Sequence, residues 1–206
     1  MRNFKTLTLS FLAFSIISCG KSSSSSSAAT QTNKIIFATD TTYDGNIGTI
    51  DDADNLCILN ATLKALANSI NYKALIVGTD RTACTTDMCS GAGSGEHKDW
   101  VLKANTTYTR IDKTVIGTTD TNGLLPIPLT NAIDPTKTDV WTGIVYIENP
   151  MLTSRWVNSG NTCNNWTNNS GGLAGETGNP SSTDFRSIDS GNPVCSGLKS
   201  LYCVEQ

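Results

Sequence analysis

Histidine is nearly absent from this chain: His97 is the only one among 206 residues. An imidazole-based catalytic centre, or a metal site built on several imidazoles, has nothing more to draw on. No Gly-x-Ser-x-Gly nucleophile motif occurs either. Charge is sparse, at 16% of residues with a net of −3, and Lys and Arg stand singly rather than in runs. Phosphate backbones bind through clustered cations that release counterions, so nucleic acid is not expected as a partner. The apolar run Leu7–Ile17 falls short of the roughly 20 residues that a membrane-spanning helix needs. What is present is an ordinary hydrophobic content of 38% in a chain rich in Thr, Ser, Asn and Gly. Its length suits one globular domain.

The short apolar run has another use. Arg2 and Lys5 precede it as a positive segment, and the small residues Ser18 and Gly20 flank Cys19 where it ends. This is the layout of an export signal. The stretch Ile16-Ile17-Ser18-Cys19-Gly20 resembles a bacterial lipobox in the loose form of spirochaetal lipoproteins. That resemblance implies a signal peptide over residues 1–18 and acylation of Cys19. The lipid would hold the protein to a cell-envelope membrane, the outer one, with the domain displayed at the surface. An ordinary secretory signal cut near Ser18 is the alternative. Residues 19–33, which include the run Ser22–Ser27, have nothing to bury and read as a flexible tether. The domain is expected over residues 34–206.

With Cys19 assigned to lipid, Cys57, Cys84, Cys89, Cys163, Cys195 and Cys203 remain. An even set in an exported chain predicts disulfides, and spacing alone does not choose their pairing. Cys84 and Cys89 with His97 would supply one pair of zinc ligands and a neighbour, whereas zinc sites need a second pair. No metal site is predicted, and no residue set calls for a cofactor.

Along the domain, Lys34–Thr39 reads as a strand, followed by a turn at Asp44-Gly45-Asn46. Asp51 or Asp52 is expected to cap a helix running to about Asn68. Its apolar stripe would be Ala53, Leu56, Cys57, Leu59, Leu63, Leu66 and Ala67. Tyr72–Gly78, Thr114–Thr119, Val140–Ile147 and Leu198–Val204 read as strands. Residues 158–197 are dense in Asn, Gly, Ser and Thr and are predicted to be mostly irregular. The fold class is α+β.

Several of these residues sit in a familiar order. Gly45-Asn46-Ile47-Gly48, Ala53-Asp54-Asn55-Leu56-Cys57 and Tyr72–Val77 resemble the opening of the collagen-derived endostatin domain. Val140-Trp141-Thr142-Gly143, Thr162-Cys163-Asn164-Asn165-Trp166, Cys195 and Leu201-Tyr202-Cys203-Val204-Glu205 resemble its second half. The stretch is also similar to an uncharacterised domain of spirochaetal surface lipoproteins. The resemblance implies a C-type lectin-like fold with Cys57 bridged to Cys203 and Cys163 to Cys195, which leaves Cys84 with Cys89. The family's zinc and heparin sites do not carry over, because their histidines and clustered arginines are missing here. Calcium-binding lectins carry a Glu-Pro-Asn loop, whereas this chain has Glu148-Asn149-Pro150, in the wrong order.

No catalytic set emerges. His97 with Glu96 and Asp99 reads as a solvated loop, Asp54 as a structural hydrogen bonder, and Trp141 and Trp166 as core. The expected function is a non-catalytic binding or adhesion module with a protein or glycan ligand. A calcium-dependent lectin and an envelope enzyme are the alternatives. The polar segment between Ile147 and Gly197 is the expected contact region, with Arg155 and Trp156 as its candidate anchors.

Overall fold

The first and last strands of the domain are hydrogen-bonded neighbours. A computed structural model describes residues 33–149 and 152–206, and it has strand β1 (Lys34–Ala38) antiparallel to β9 (Ser200–Glu205), with Ile36 opposite Val204 and Ala38 opposite Tyr202. The signal segment 1–18, Cys19 and the tether up to residue 32 lie outside the described residues.

Around this pair a curled sheet is assembled from β3 (Thr107–Thr109), β4 (Val115–Thr118), β5 (Val140–Trp141) and β8 (Thr177–Gly178), in the order β4-β3-β1-β9-β5-β8. Strand β2 (Tyr72–Ala74) also pairs with β9. A separate hairpin is made by β6 (Ile144–Asn149) and β7 (Leu152–Asn158). The class is α+β. The expected single strand over Val140–Ile147 is two, because Gly143 adopts φ +68° and turns the chain between them.

Alternation along the two central strands divides the core. Ile36, Ala38, Tyr202 and Val204 face a cluster containing Tyr108, Ile116, Leu124, Trp100 and Trp156. Phe37, Leu201 and Cys203 face the helix side, with Ile76, Trp141 and Trp166.

Helix α1 (Ile50–Leu63) is capped by Thr49, ahead of the acidic pair expected to cap it. The Thr49 hydroxyl accepts from the Asp52 amide at 3.2 Å, and the Asp52 carboxylate accepts from the Thr49 amide at 2.8 Å, which makes a capping box. Asp51 and Asp52 thus stand in the first turn, where negative charge suits the helix dipole. The buried face is Ile50, Ala53, Asp54, Cys57, Asn60 and Ala61. Of the expected stripe, Ala53 and Cys57 lie on it and Leu56 and Leu66 pack partly against the core, whereas Leu59 and Leu63 are 52% and 72% exposed. The Cys57–Cys203 disulfide sets this rotation, and small side chains beside it let the helix sit close to β9. The helix stops at Leu63, and Ala65 turns left-handed at φ +51°.

The three disulfides are Cys57–Cys203, Cys163–Cys195 and Cys84–Cys89, closing sequence separations of 146, 32 and 5 residues. The segment 158–197 has little regular structure, and the middle bridge pins it. Cys163, Asn164, Asn165 and Trp166 form a left-handed turn, with φ of +49°, +57°, +57° and +62°. Asn tolerates this backbone better than most residues. The turn is held by the disulfide, by the Trp166 indole donating to the Val77 carbonyl at 2.7 Å, and by Asn165 Oδ1 accepting from the Thr79 amide at 2.8 Å.

Candidate functional site

The two expected surface anchors are structural residues. Along the β6–β7 hairpin, Val145 pairs with Val157 and Tyr146 with Arg155, so Trp156 is an extra residue in a β-bulge. Its φ of +61° turns the ring inward. Trp156 is 0% exposed and packs edge-on against Trp100, with centroids 6.0 Å apart. It is therefore no surface anchor. Arg155 binds Asp87 with Nε at 3.0 Å, Nη2 at 2.8 Å and its main-chain N–H at 2.9 Å. Asp87 belongs to the loop closed by Cys84–Cys89, and the Cys84 amide donates to the Trp156 carbonyl at 3.0 Å. Arg155 is thus a clasp that docks the hairpin on the disulfide loop.

The remaining polar candidates are also occupied. Asp54 accepts from the Ala74 amide and from fully buried Arg81, which also binds Asp99. The Glu96 carboxylate accepts from the Thr86 hydroxyl and from the amides of Thr85, Thr86, Gly91 and Ala92. The Thr86 hydroxyl bond foremost, then those amides, holds this carboxyl well below the usual carboxylate range. Both ring nitrogens of His97 are turned to carbonyl oxygens, Nδ1 to Ala83 and Nε2 to Asn122. His97 is half-buried and tied to two loops, where a freely solvated side chain was expected. Asn164 bonds Thr167 and Asn165 bonds Thr79, so the two asparagines before Trp166 serve the left-handed turn.

Two concave regions stand out. One lies beside β1, about 370 Å³, with Ile36, Phe37, Ile111 and Ile133 as walls and Arg110 at its side. The other, about 420 Å³, opens between β6 and the segment 185–189 and is lined by Tyr146, Ile147, Glu148, Phe185 and Asp189. In the second, polar and aromatic groups converge. Phe185 stacks on Tyr146 with centroids 6.4 Å and planes 15° apart. Tyr146 is 7% exposed, whereas Phe185 is 45% exposed and leaves a ring open to solvent.

Behind this pair are two neighbouring carboxyls. Asp189 accepts from the Tyr146 amide at 2.7 Å. Glu176, only 6% exposed, faces Asp189 and accepts from the Asn161 side-chain amide at 3.4 Å. Burial first, and the Asp189 charge second, push the Glu176 carboxyl up to about 7. Its position follows from Gly175. A Cβ there would sit 2.7 Å from the Cys163 sulfur and 2.8 Å from the Trp141 ring, so only glycine lets the chain pass so deep.

None of Tyr146, Phe185, Glu176 and Asp189 stands out as a site residue in the sequence. The nearest signal is Phe185, a lone aromatic in a polar stretch. The expected contact region between Ile147 and Gly197 does contribute Phe185, Glu176 and Asp189. Among the described residues, no group of three or more His, Cys, Asp or Glu side chains is placed to hold a metal ion. No described helix is long and apolar enough to cross a membrane.

No curated protein matches the chain. Residues 40–183, more than half of it, match the family model described as a protein of unknown function (DUF1554), and the chain belongs to that family.

Proposed function

We propose that the chain is a lipid-anchored cell-envelope protein whose domain is a non-catalytic binding module of the C-type lectin-like, endostatin-like kind. The nested bridges 57–203 and 163–195, and a first helix tied to the last strand, agree with that fold. The anchor on Cys19 is inferred from the lipobox resemblance, and it would present the domain to a protein or glycan partner.

The observation that carries the binding role is the open cleft with an exposed stacking ring and convergent carboxyls. Ligand sites of this kind combine an apolar wall with a few oriented polar groups. The hairpin that forms one wall is clasped by Arg155–Asp87 and backed by Trp156, so the cleft is preorganised, and rigid sites lose less entropy on binding. Phe185 is the residue to remove, because it contributes contact area and little core. Arrays of glycans and of extracellular proteins, probed with the full-length protein, are expected to return a ligand whose binding drops at least fivefold in Phe185→Ala. A ligand that binds both forms equally, with circular dichroism unchanged, would move the binding face away from the cleft.

A further inference from the structure

We propose that the cleft recognises an organic cation, an ammonium or guanidinium group, seated between the exposed ring of Phe185 and the Asp189 carboxylate. This deepens the binding reading above and rests on it.

Charge pairing around the cleft is the first argument. The nearby cations are already matched: Arg155 with Asp87 and Glu148, and Arg186 with Asp184. Glu176 and Asp189 lie side by side, and among the described residues no Lys or Arg pairs with either. Two adjacent carboxyls, one of them nine-tenths buried, call for a proton or a cation between them and solvent. Asp189 lines the cleft and Glu176 lies against it, so charge on Asp189 is open to the cleft rather than to the core.

The second argument is independent of charge. Phe185 stacks on Tyr146 and is still 45% exposed, and an accessible ring face attracts a cation through its quadrupole. A carboxylate and an accessible aromatic ring lining one cleft are a combination that an alkylammonium or guanidinium group satisfies at once. A neutral sugar would stack on the ring and leave the carboxyls uncompensated. Calcium wants six to eight oxygens, and among the described residues no group of three or more His, Cys, Asp or Glu side chains is placed to hold a metal ion.

The test is a titration of the full-length protein followed by amide NMR of residues 144–148 and 185–190. The probes are n-butylammonium and N-acetyl-lysine methylamide, with n-butanol, methyl glucoside and calcium chloride as comparisons. Both amines are expected to shift cleft resonances, and tighter binding of the lysine derivative would indicate a polypeptide side chain rather than a free amine. Asp189→Asn should weaken the amines roughly tenfold or more, the usual size of a lost charge-assisted bond. Asn can still accept the Tyr146 amide, so the fold is kept. Phe185→Ala should weaken them about two- to fivefold. Equal binding of n-butanol or methyl glucoside would overturn the cation proposal and leave the cleft as the ligand site. Shifts produced by calcium alone would overturn it in favour of a metal-dependent lectin. If no probe moves any cleft resonance, both the proposal and the cleft reading fail.

Discussion

Glu176→Gln tests whether the buried carboxyl is held at an energetic cost. In the folded domain this group loses its proton near pH 7, compared with 4.5 for an ordinary glutamate. That difference corresponds to roughly 3 kcal/mol at about 1.4 kcal/mol per pH unit. Because the folded value is raised, the folded state holds a proton that the unfolded chain has released between about pH 4.5 and pH 7. Stability therefore falls as pH rises through this window and levels off above it. The carboxylates whose values are lowered, such as Asp87 and Asp184, act in the opposite direction and at more acidic pH. Glutamine is nearly isosteric, keeps an oxygen for the Asn161 amide and offers Asp189 an N–H donor. The variant should gain up to about 3 kcal/mol over wild type at pH 8 relative to the same comparison at pH 5. For a domain of this size that is a rise in Tm of about 6–12 °C. Urea or thermal unfolding of both proteins across pH 5–8 measures it. If the two pH profiles run parallel, Glu176 is not held protonated by its surroundings, and the reading of a proton held at the Glu176–Asp189 pair fails.

Other expectations follow from the bridges and the hairpin. In the loop-closure model, removing Cys57–Cys203 costs about 5 kcal/mol, Cys163–Cys195 about 3–4, and Cys84–Cys89 about 2, so denaturant midpoints of paired Cys→Ser variants should fall in that order. Peptide mapping that finds any other pairing would contradict the fold itself. Trp156→Ala should cost about 3–5 kcal/mol through cavity formation, whereas replacement of an exposed anchor would leave stability within about 0.5 kcal/mol. Cys19→Ala should release the protein from the detergent-extracted membrane fraction or leave an uncut precursor, and wild-type fractionation of that variant would remove the lipid anchor.

Much of the architecture is legible in the residues themselves. Short β-prone runs at Lys34–Thr39, Thr114–Thr119 and Leu198–Val204 become strands because their side chains suit a half-buried pleated surface. The early helix is announced by its polar start and its length. The three bridges agree with the family resemblance, which carries long-range information that spacing alone lacks. The errors are equally physical. The predicted stripe on α1 places Ala53 and Cys57 correctly but not Leu59 and Leu63, because the disulfide to β9 and a close approach through Ala53 and Ala61 rotate the helix toward its small side chains. Trp156 reads as exposed from its place after Asn149-Pro150, yet one bulge residue in the hairpin register turned it into the core, and no local pattern encodes that insertion. The cleft is the clearest case. Tyr146 comes from a strand, Glu176 from a chain segment that only Gly175 allows to pass so deep, and Phe185 and Asp189 from a polar loop pinned by Cys163–Cys195. These residues are spread over positions 146 to 189 and share no motif. Sequence alone determined which segments form strands and the early helix, and which cysteines stand ready to cross-link, because those depend on side-chain periodicity and residue type. Only the tertiary structure decided which carboxyls meet and which ring stays open, because that depends on how irregular loops close around a core.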